Sequence, residues 1–411
     1  MTIICALLLL SARPGLAGDW WKTPAQRTSP PERAQDPWPV IDPALFPRFE
    51  HACLDAEPPA PPQSPACRSF FSGAVAQVMT QNGWGSGFFL KGYPNLLVTN
   101  WHVVEDVAPG YPAIVRWLFH PGRAGARPLT LIGTVVAKNF YRDLALLKVD
   151  NPYRVALPMG GEDLGAPDRV AVVGYPGDIS LRTTLLVTEG HAAAPRISVN
   201  TESWWPRPML THNAPSHGGN SGGPVLDWAS KRVIGVTESV LGQYNDAVPL
   251  VSLKYFLKRY RSGLPTAAGW LSLRYGPERK LTIAGKPRWG IRIDGALDAA
   301  GRPLESASHP PRGYKDFPPS LADRGKWIVA VDHLSLGDLL RLGAPSSGGG
   351  GTGAGPIDTR AKAIALFVMQ LYQGDRVLLS LYDPTTGLVI EKPVGLRARP
   401  DTAPWIYPTS P

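Results

Sequence analysis

Cysteine is scarce in this chain: three in 411 residues, at positions 5, 53 and 67. Two cysteines with no neighbouring histidine pair make no zinc set, so neither a metal nor any other cofactor is expected. Long apolar runs are equally scarce. Residues 3–10 (Ile-Ile-Cys-Ala-Leu-Leu-Leu-Leu) are too short to span a bilayer, and nothing after them is long and apolar enough. Dense Lys/Arg clusters are missing too. The net charge of +9 is scattered, so it reads as a solvated surface and gives no indication of nucleic-acid binding.

The apolar stretch, followed by Gly15-Leu16-Ala17 with small residues at both positions that a signal peptidase inspects, reads as a cleaved secretory signal over 1–17. No Lys or Arg precedes it, which departs from the usual pattern. The mature protein is then exported, to a periplasm or to the medium, with no transmembrane anchor. It keeps Cys53 and Cys67, an even pair that suggests one disulfide. Residues 18–66, rich in proline, read as an extended segment pinned at its end by that bridge.

From Phe70 the texture changes to short β-type runs with Gly, Pro, Asn and Asp between them. Ten such runs lie between Ala74 and Leu250, which suggests an all-β barrel or sandwich, and Val251–Arg259 carries helical spacing as a closing helix. A small-residue linker, Gly263–Ala268, leads into a second set of strands. These are Gly269–Arg274, Trp289–Ile293, Lys326–Val331, Arg376–Leu381 and Leu388–Val394, with a helix over Arg360–Tyr372. Residues 298–323 and Gly348–Gly355 read as inserted loops.

The decapeptide from His217 to Leu226, His-Gly-Gly-Asn-Ser-Gly-Gly-Pro-Val-Leu, concentrates the chemistry. Four glycines around one serine permit a turn that exposes Ser221 and aims the N–H groups of Gly219 and Ser221 at one spot, as a tetrahedral oxyanion requires. Gly219–Gly223 also fits G-x-S-x-G, the elbow of α/β-hydrolases. That elbow must open into a helix, whereas Gly222-Gly223-Pro224 leads into a strand, and its acid and histidine follow the serine. An esterase of that type is disfavoured. Upstream, a buried-looking strand runs into His102, and Asp143 stands at the mouth of another. Each alone reads as a capped strand end. Together their order, His, Asp, Ser, matches a known triad order.

Four segments carry a family resemblance: Gly85-Ser86-Gly87-Phe88-Phe89, Val98-Thr99-Asn100-Trp101-His102-Val103-Val104, Asp143-Leu144-Ala145-Leu146-Leu147-Lys148-Val149 and Gly219-Asn220-Ser221-Gly222-Gly223-Pro224. They resemble the HtrA/Deg branch of the chymotrypsin-fold serine proteases, over roughly residues 70–262. The resemblance implies a mainly β chain, with a chymotrypsin-like double β-barrel at 67–262. Residues 263–400 would form a smaller α+β domain that resembles a divergent PDZ domain, in Trp327–Asp332 and Gly374–Leu381. It implies Ser221 as nucleophile, His102 as general base, Asp143 as its orienting acid, and Gly219 and Ser221 as oxyanion donors. Thr237, Glu238 and Ser239 would line the substrate cleft, with Thr237 supporting Asp143 and Glu238 more often pointing to solvent. Leu271, Ser272 and Leu273 would offer N–H groups to a peptide carboxylate. Asn220 stands where zymogen-type enzymes carry aspartate, so activation by a new N-terminus is not expected. No aspartate lies in Thr211–His217, so an arginine pocket is unsupported; His212 and His217 suggest a taste for acidic residues. The partners implied are polypeptides and no nucleic acid, and the resemblance allows a homo-oligomer. A chaperone-like binder on a protease fold is the rival reading.

Overall fold

In the computed structural model the described residues are 46–117, 129–161, 168–177, 185–200, 207–241, 244–297, 323–342 and 360–398. Residues 1–17, expected as a signal, residues 298–323, expected as an inserted loop (Asp323 apart), and the glycine tract lie outside them. In the described part of the proline-rich segment, α1 (Phe46–Leu54) and the start of α2 (Pro65–Ala74) are helical, and the Cys53–Cys67 disulfide joins the two helices. Ser64 caps α2 by accepting a hydrogen bond from the Cys67 N–H, and Pro65 occupies the first turn, where its missing N–H costs nothing. The extended reading of 18–66 therefore does not hold at Phe46–Leu54, nor at Pro65 and Ala66, where α2 begins.

Two closed six-stranded barrels follow. The first comprises β1 (Val75–Met79), β2 (Trp84–Phe89), β3 (Leu96–Thr99), β4 (Pro112–Trp117), β5 (Leu129–Asn139) and β6 (Leu144–Lys148), in the order β1-β2-β3-β6-β5-β4. The second comprises β7 (Arg169–Gly174), β8 (Leu186–Asn200), β9 (Arg207–His212), β10 (Pro224–Asp227), β11 (Val233–Leu241) and β12 (Tyr244–Pro249), in the order β10-β11-β12-β9-β8-β7. Period-two patterning drives closure. On β4, Ala113, Val115 and Trp117 are buried while Pro112 and Ile114 face out, and Trp117 stacks on Phe89 with ring centroids 6.0 Å apart. Val170, Val172, Leu210, Val225, Ile234 and Ala247 fill the second barrel. Helix α3 (Leu250–Arg261) ends this half and buries Leu253, Phe256 and Leu257.

The C-terminal half holds β13 (Gly269–Trp270), β14 (Leu273–Ile283), β15 (Lys286–Ala296), β16 (Trp327–Val331), β17 (Leu334–Ser335), α4 (Leu336–Leu342), α5 (Arg360–Gln370), β18 (Arg376–Asp383), β19 (Leu388–Gly395) and β20 (Arg397–Ala398). Its main sheet runs β14-β15-β16-β18-β19, with β17 beside β16, and β13 pairs with β20. Ile291, Ile293, Ile328, Leu379 and Leu381 from the sheet pack with Ile364 and Val368 of α5. The chain is thus mainly β, with two barrels and a third sheet after them. No helix of the described residues is long and apolar enough to cross a membrane.

Candidate active site

The histidine and aspartate segments both belong to the first barrel. Strand β3 ends at Thr99, and Asn100 and Trp101 lead into a single 3-10 turn, His102–Val104. Asp143 closes the turn between β5 and β6 with φ of +50°, a left-handed conformation that costs a non-glycine residue about 1 kcal/mol or more. Its surroundings hold it there: the Asn100 side-chain amide donates to the Asp143 carbonyl (2.8 Å), and the Asp143 N–H donates to Phe140 O (3.1 Å).

The carboxylate then grips the histidine twice. The His102 backbone N–H donates to Oδ1 at 2.9 Å, and Nδ1 lies 2.7 Å from Oδ2. Only 6 % of the Asp143 side chain is exposed, against 39 % of His102. A two-point grip from a buried carboxylate fixes the ring and keeps the proton on Nδ1, which makes Nε2 the basic nitrogen. Lys138, buried at the end of β5, donates from Nζ to the carbonyls of Val104 (3.2 Å), Glu105 (3.1 Å) and Val107 (3.0 Å) just beyond the histidine.

The serine belongs to the second barrel, in the turn before β10. An added Cβ at Gly85 would run into both the Val103 side chain and the Ser221 carbonyl, so the residue after His102 and the serine share one small space. Ser86 knits the loops together. Its N–H donates to Ser221 O (2.7 Å), its hydroxyl donates to Gly219 O (2.8 Å) and accepts from the Tyr175 N–H (2.9 Å), and its carbonyl accepts from the Thr99 hydroxyl (2.7 Å). Gly219 (φ +95°) and Gly222 (φ +84°) take conformations closed to other residues. The Gly218 carbonyl accepts from the Gly177 N–H, and the Asn220 carbonyl accepts from the Gly223 N–H. Because C=O and N–H oppose each other across a trans peptide, these bonds turn the Gly219 and Ser221 N–H groups the other way. Among the described residues neither has an acceptor.

The Ser221 hydroxyl does not donate to His102. It donates to the Glu238 carbonyl at 2.9 Å. That carbonyl is available because the pairing of β11 with β12 slips between Thr237 and Ser239, which leaves Glu238 on a bulge. Bulges beside active sites commonly re-aim one peptide group in this way. Glu238 itself is half-buried rather than turned out to solvent. Thr237 is buried and its hydroxyl has no hydrogen-bond partner among the described residues, so the expected support of Asp143 is not made there. Ser239 pairs with Asp246 of β12.

The two loop histidines separate. His217 is exposed. His212 is buried on β9, neither ring nitrogen has a partner among the described residues, and burial pushes its pKa down to about 4. In the C-terminal half, Leu271, Ser272 and Leu273 are all buried, Ser272 has φ of +57°, and its carbonyl accepts from the Leu297 N–H. Glu278 on β14 reaches the first turn of α5, where its carboxylate accepts from the N–H groups of Arg360 (2.7 Å) and Ala361 (3.0 Å). Among the described residues no group of three or more His, Cys, Asp or Glu could hold a metal ion. Ser86 and Asn100 lie inside motifs quoted from the sequence, yet nothing there showed that they tie the segments to one another; Lys138 gave no signal at all.

Residues 85–236 match the trypsin-like peptidase domain. Among curated proteins, the serine protease Do-like HtrA of Lactobacillus helveticus is 29% identical over 189 residues, which is 46% of this chain and 40% of that protein. The probable periplasmic serine endoprotease DegP-like of Pseudomonas fluorescens is 27% identical over 226 residues, 51% of this chain and 43% of that protein. The chain thus spans less than half the length of these two relatives. Among solved structures, the HtrA-type protease AlgW with decapeptide is 18% identical, with 82% of this chain and 98% of that one covered and a TM-score of 0.48. Residues 85–236 thus match a trypsin-like peptidase domain and are similar to HtrA and DegP-like serine proteases.

Proposed function

We propose that the chain is an exported serine endopeptidase that hydrolyses polypeptides through an acyl-enzyme on Ser221, in envelope protein quality control or regulated proteolysis. One observation carries the reading: a doubly gripped His102–Asp143 couple borders a serine whose loop presents two N–H groups without acceptors among the described residues. In the reaction the Ser221 hydroxyl leaves the Glu238 carbonyl and gives its proton to His102 Nε2 as Oγ attacks the scissile carbonyl. Negative charge gathers on the former carbonyl oxygen, where the Gly219 and Ser221 N–H groups stabilise it; one such donor is worth about 3–4 kcal/mol of barrier. Collapse expels the amine, protonated by His102, and water repeats the sequence on the ester. Asp143 holds the tautomer and stabilises the imidazolium without taking the proton.

The Glu238 carbonyl and the bulged strand around it, with Thr237 and Ser239, suit an extended substrate that adds along β11. The leader at 1–17 and the Cys53–Cys67 pair favour an oxidising compartment. Residues 263–400 are read as a divergent PDZ-like domain whose Leu271–Leu273 loop faces a peptide terminus. A serine resting on a strand carbonyl rather than on its base is what favours the second reading, a chaperone-like binder. A fluorophosphonate probe decides between them. Labelling of the wild type and not of Ser221→Ala, with casein degraded only by the former, supports the endopeptidase. A folded wild type that binds casein and stays unlabelled supports the binder.

A further inference from the structure

Four consecutive residues precede Asp143, and each meets the C-terminal half of the chain or the linker that leads to it. The Asn139 side-chain amide donates to Thr266 O at 2.7 Å. Phe140 and Tyr141 pack against Ala268 and Met369. Arg142 donates from Nη2 to Gln370 O at 2.9 Å, and its guanidinium lies 4.3 Å from the centre of the Tyr372 ring. On the near side, Asn139 Oδ1 accepts from the Arg142 N–H (2.8 Å), and Phe140 meets Trp101, the neighbour of His102, edge-on at 4.8 Å.

Tyr372 is the centre of this contact. It is fully buried, with the Arg259 guanidinium of α3 at 4.2 Å from its ring and the Tyr255 ring at 5.3 Å. Arg259 is itself paired with Asp375 at 3.2 Å and donates to Pro265 O at 2.9 Å. The tyrosine hydroxyl has no hydrogen-bond partner among the described residues. What the site uses is therefore the ring face, against which two guanidinium groups rest.

We propose that Arg142 is a positioning residue for the catalytic acid, and that Tyr372 and Gln370 of the C-terminal half hold it in place. This rests on the reading of Asp143 as the triad acid. A left-handed aspartate persists only where its turn is over-determined from outside. Here Asn100 supplies one restraint, while the residues leading into Asp143 are fixed by segments 266–268 and 369–372. The catalytic couple of the protease half is completed by contacts from the other half, so disturbing the seat of Tyr372 changes turnover without touching the substrate cleft.

The test compares Tyr372→Phe, Tyr372→Leu and Arg142→Met in the full-length protein, with circular dichroism and melting to establish folding. Peptidase kinetics and the low-field proton resonance of the imidazole Nδ1–H are read for each. The expected result is normal kcat and resonance for Tyr372→Phe, which keeps the ring face. For Tyr372→Leu and Arg142→Met, kcat falls by roughly tenfold or more at unchanged KM, and the resonance moves or broadens. If Tyr372→Leu unfolds the C-terminal half, Arg142→Met, half-buried on the barrel side, carries the comparison. Wild-type kcat and resonance in folded Arg142→Met overturn the proposal while leaving the triad intact. An inactive wild type overturns the endopeptidase reading instead, and the resonance still decides whether Arg142 orders the pair.

Discussion

Ser86→Ala removes one hydroxyl group from the boundary between the barrels, and its cost can be worked from two bonds. The side chain is fully buried. The Tyr175 N–H loses its acceptor at 2.9 Å and the Gly219 carbonyl loses its donor at 2.8 Å. A buried polar group left unsatisfied costs about 1–3 kcal/mol, so the pair costs roughly 2–4 kcal/mol after partial relaxation. For a domain of this size that lowers Tm by roughly 5–15 °C. On the proposed mechanism activity should suffer as well, because the Gly219 N–H is one of the two proposed oxyanion donors. The assay is scanning calorimetry with kcat and KM measured at a temperature where the variant remains folded. We expect kcat to drop more than KM rises. A Tm within about 1 °C of wild type, with unchanged kcat, would refute the claim that Ser86 organises the serine loop.

Three further outcomes are expected. Asp143→Asn should keep the fold and lose about 10⁴ in kcat, because its amide can no longer hold the proton on Nδ1; near-normal turnover would mean another acid serves. Gly222→Ala should fail to yield folded, active protein, since a Cβ at φ +84° would overlap Ser86 O and the Thr99 hydroxyl oxygen, and recovery of a soluble active variant would contradict that packing. His212 titrates near 6.5 when unfolded and at about 4 when folded. The unfolded chain therefore binds more protons between these values, and stability is lost as pH falls from about 6.5 towards 4. The full loss is about 3 kcal/mol, and His212→Leu should remove that slope from denaturant midpoints measured across the window.

Much of the fold was legible because barrel strands are short, alternate in polarity and are punctuated by glycine and proline. Val75–Met79, Leu96–Thr99 and Leu144–Lys148 fall where those runs place them. Strand β9 escaped because Pro208 breaks the pattern, and α1 because Pro47 and the surrounding prolines suggest an extended chain. A proline in a first helical turn is in fact tolerated. In the C-terminal half the β14–β15 hairpin is longer than its apolar run, since Gly276 and Pro277 sit at register shifts. At the site, His102, Asp143 and the glycine-bounded serine carried their own signals. The bulge at Glu238 did not, because a register slip depends on the partner strand. Nor did Arg142, whose acceptor lies 228 positions further along the chain.

Lys138 has a consequence for how His102, Asp143 and Ser221 move. Its ammonium ties the backbone just past His102 to the strand that delivers Asp143, and the carboxylate closes the same circuit from the other end. Imidazole and carboxylate thus ride on one rigid frame, while the hydroxyl rides on the neighbouring barrel. Breathing between the barrels alters the reach from base to nucleophile and leaves the distance from base to acid constant. Hydrostatic pressure, which works on such seams, should therefore slow acylation well before it disturbs the low-field imidazole proton.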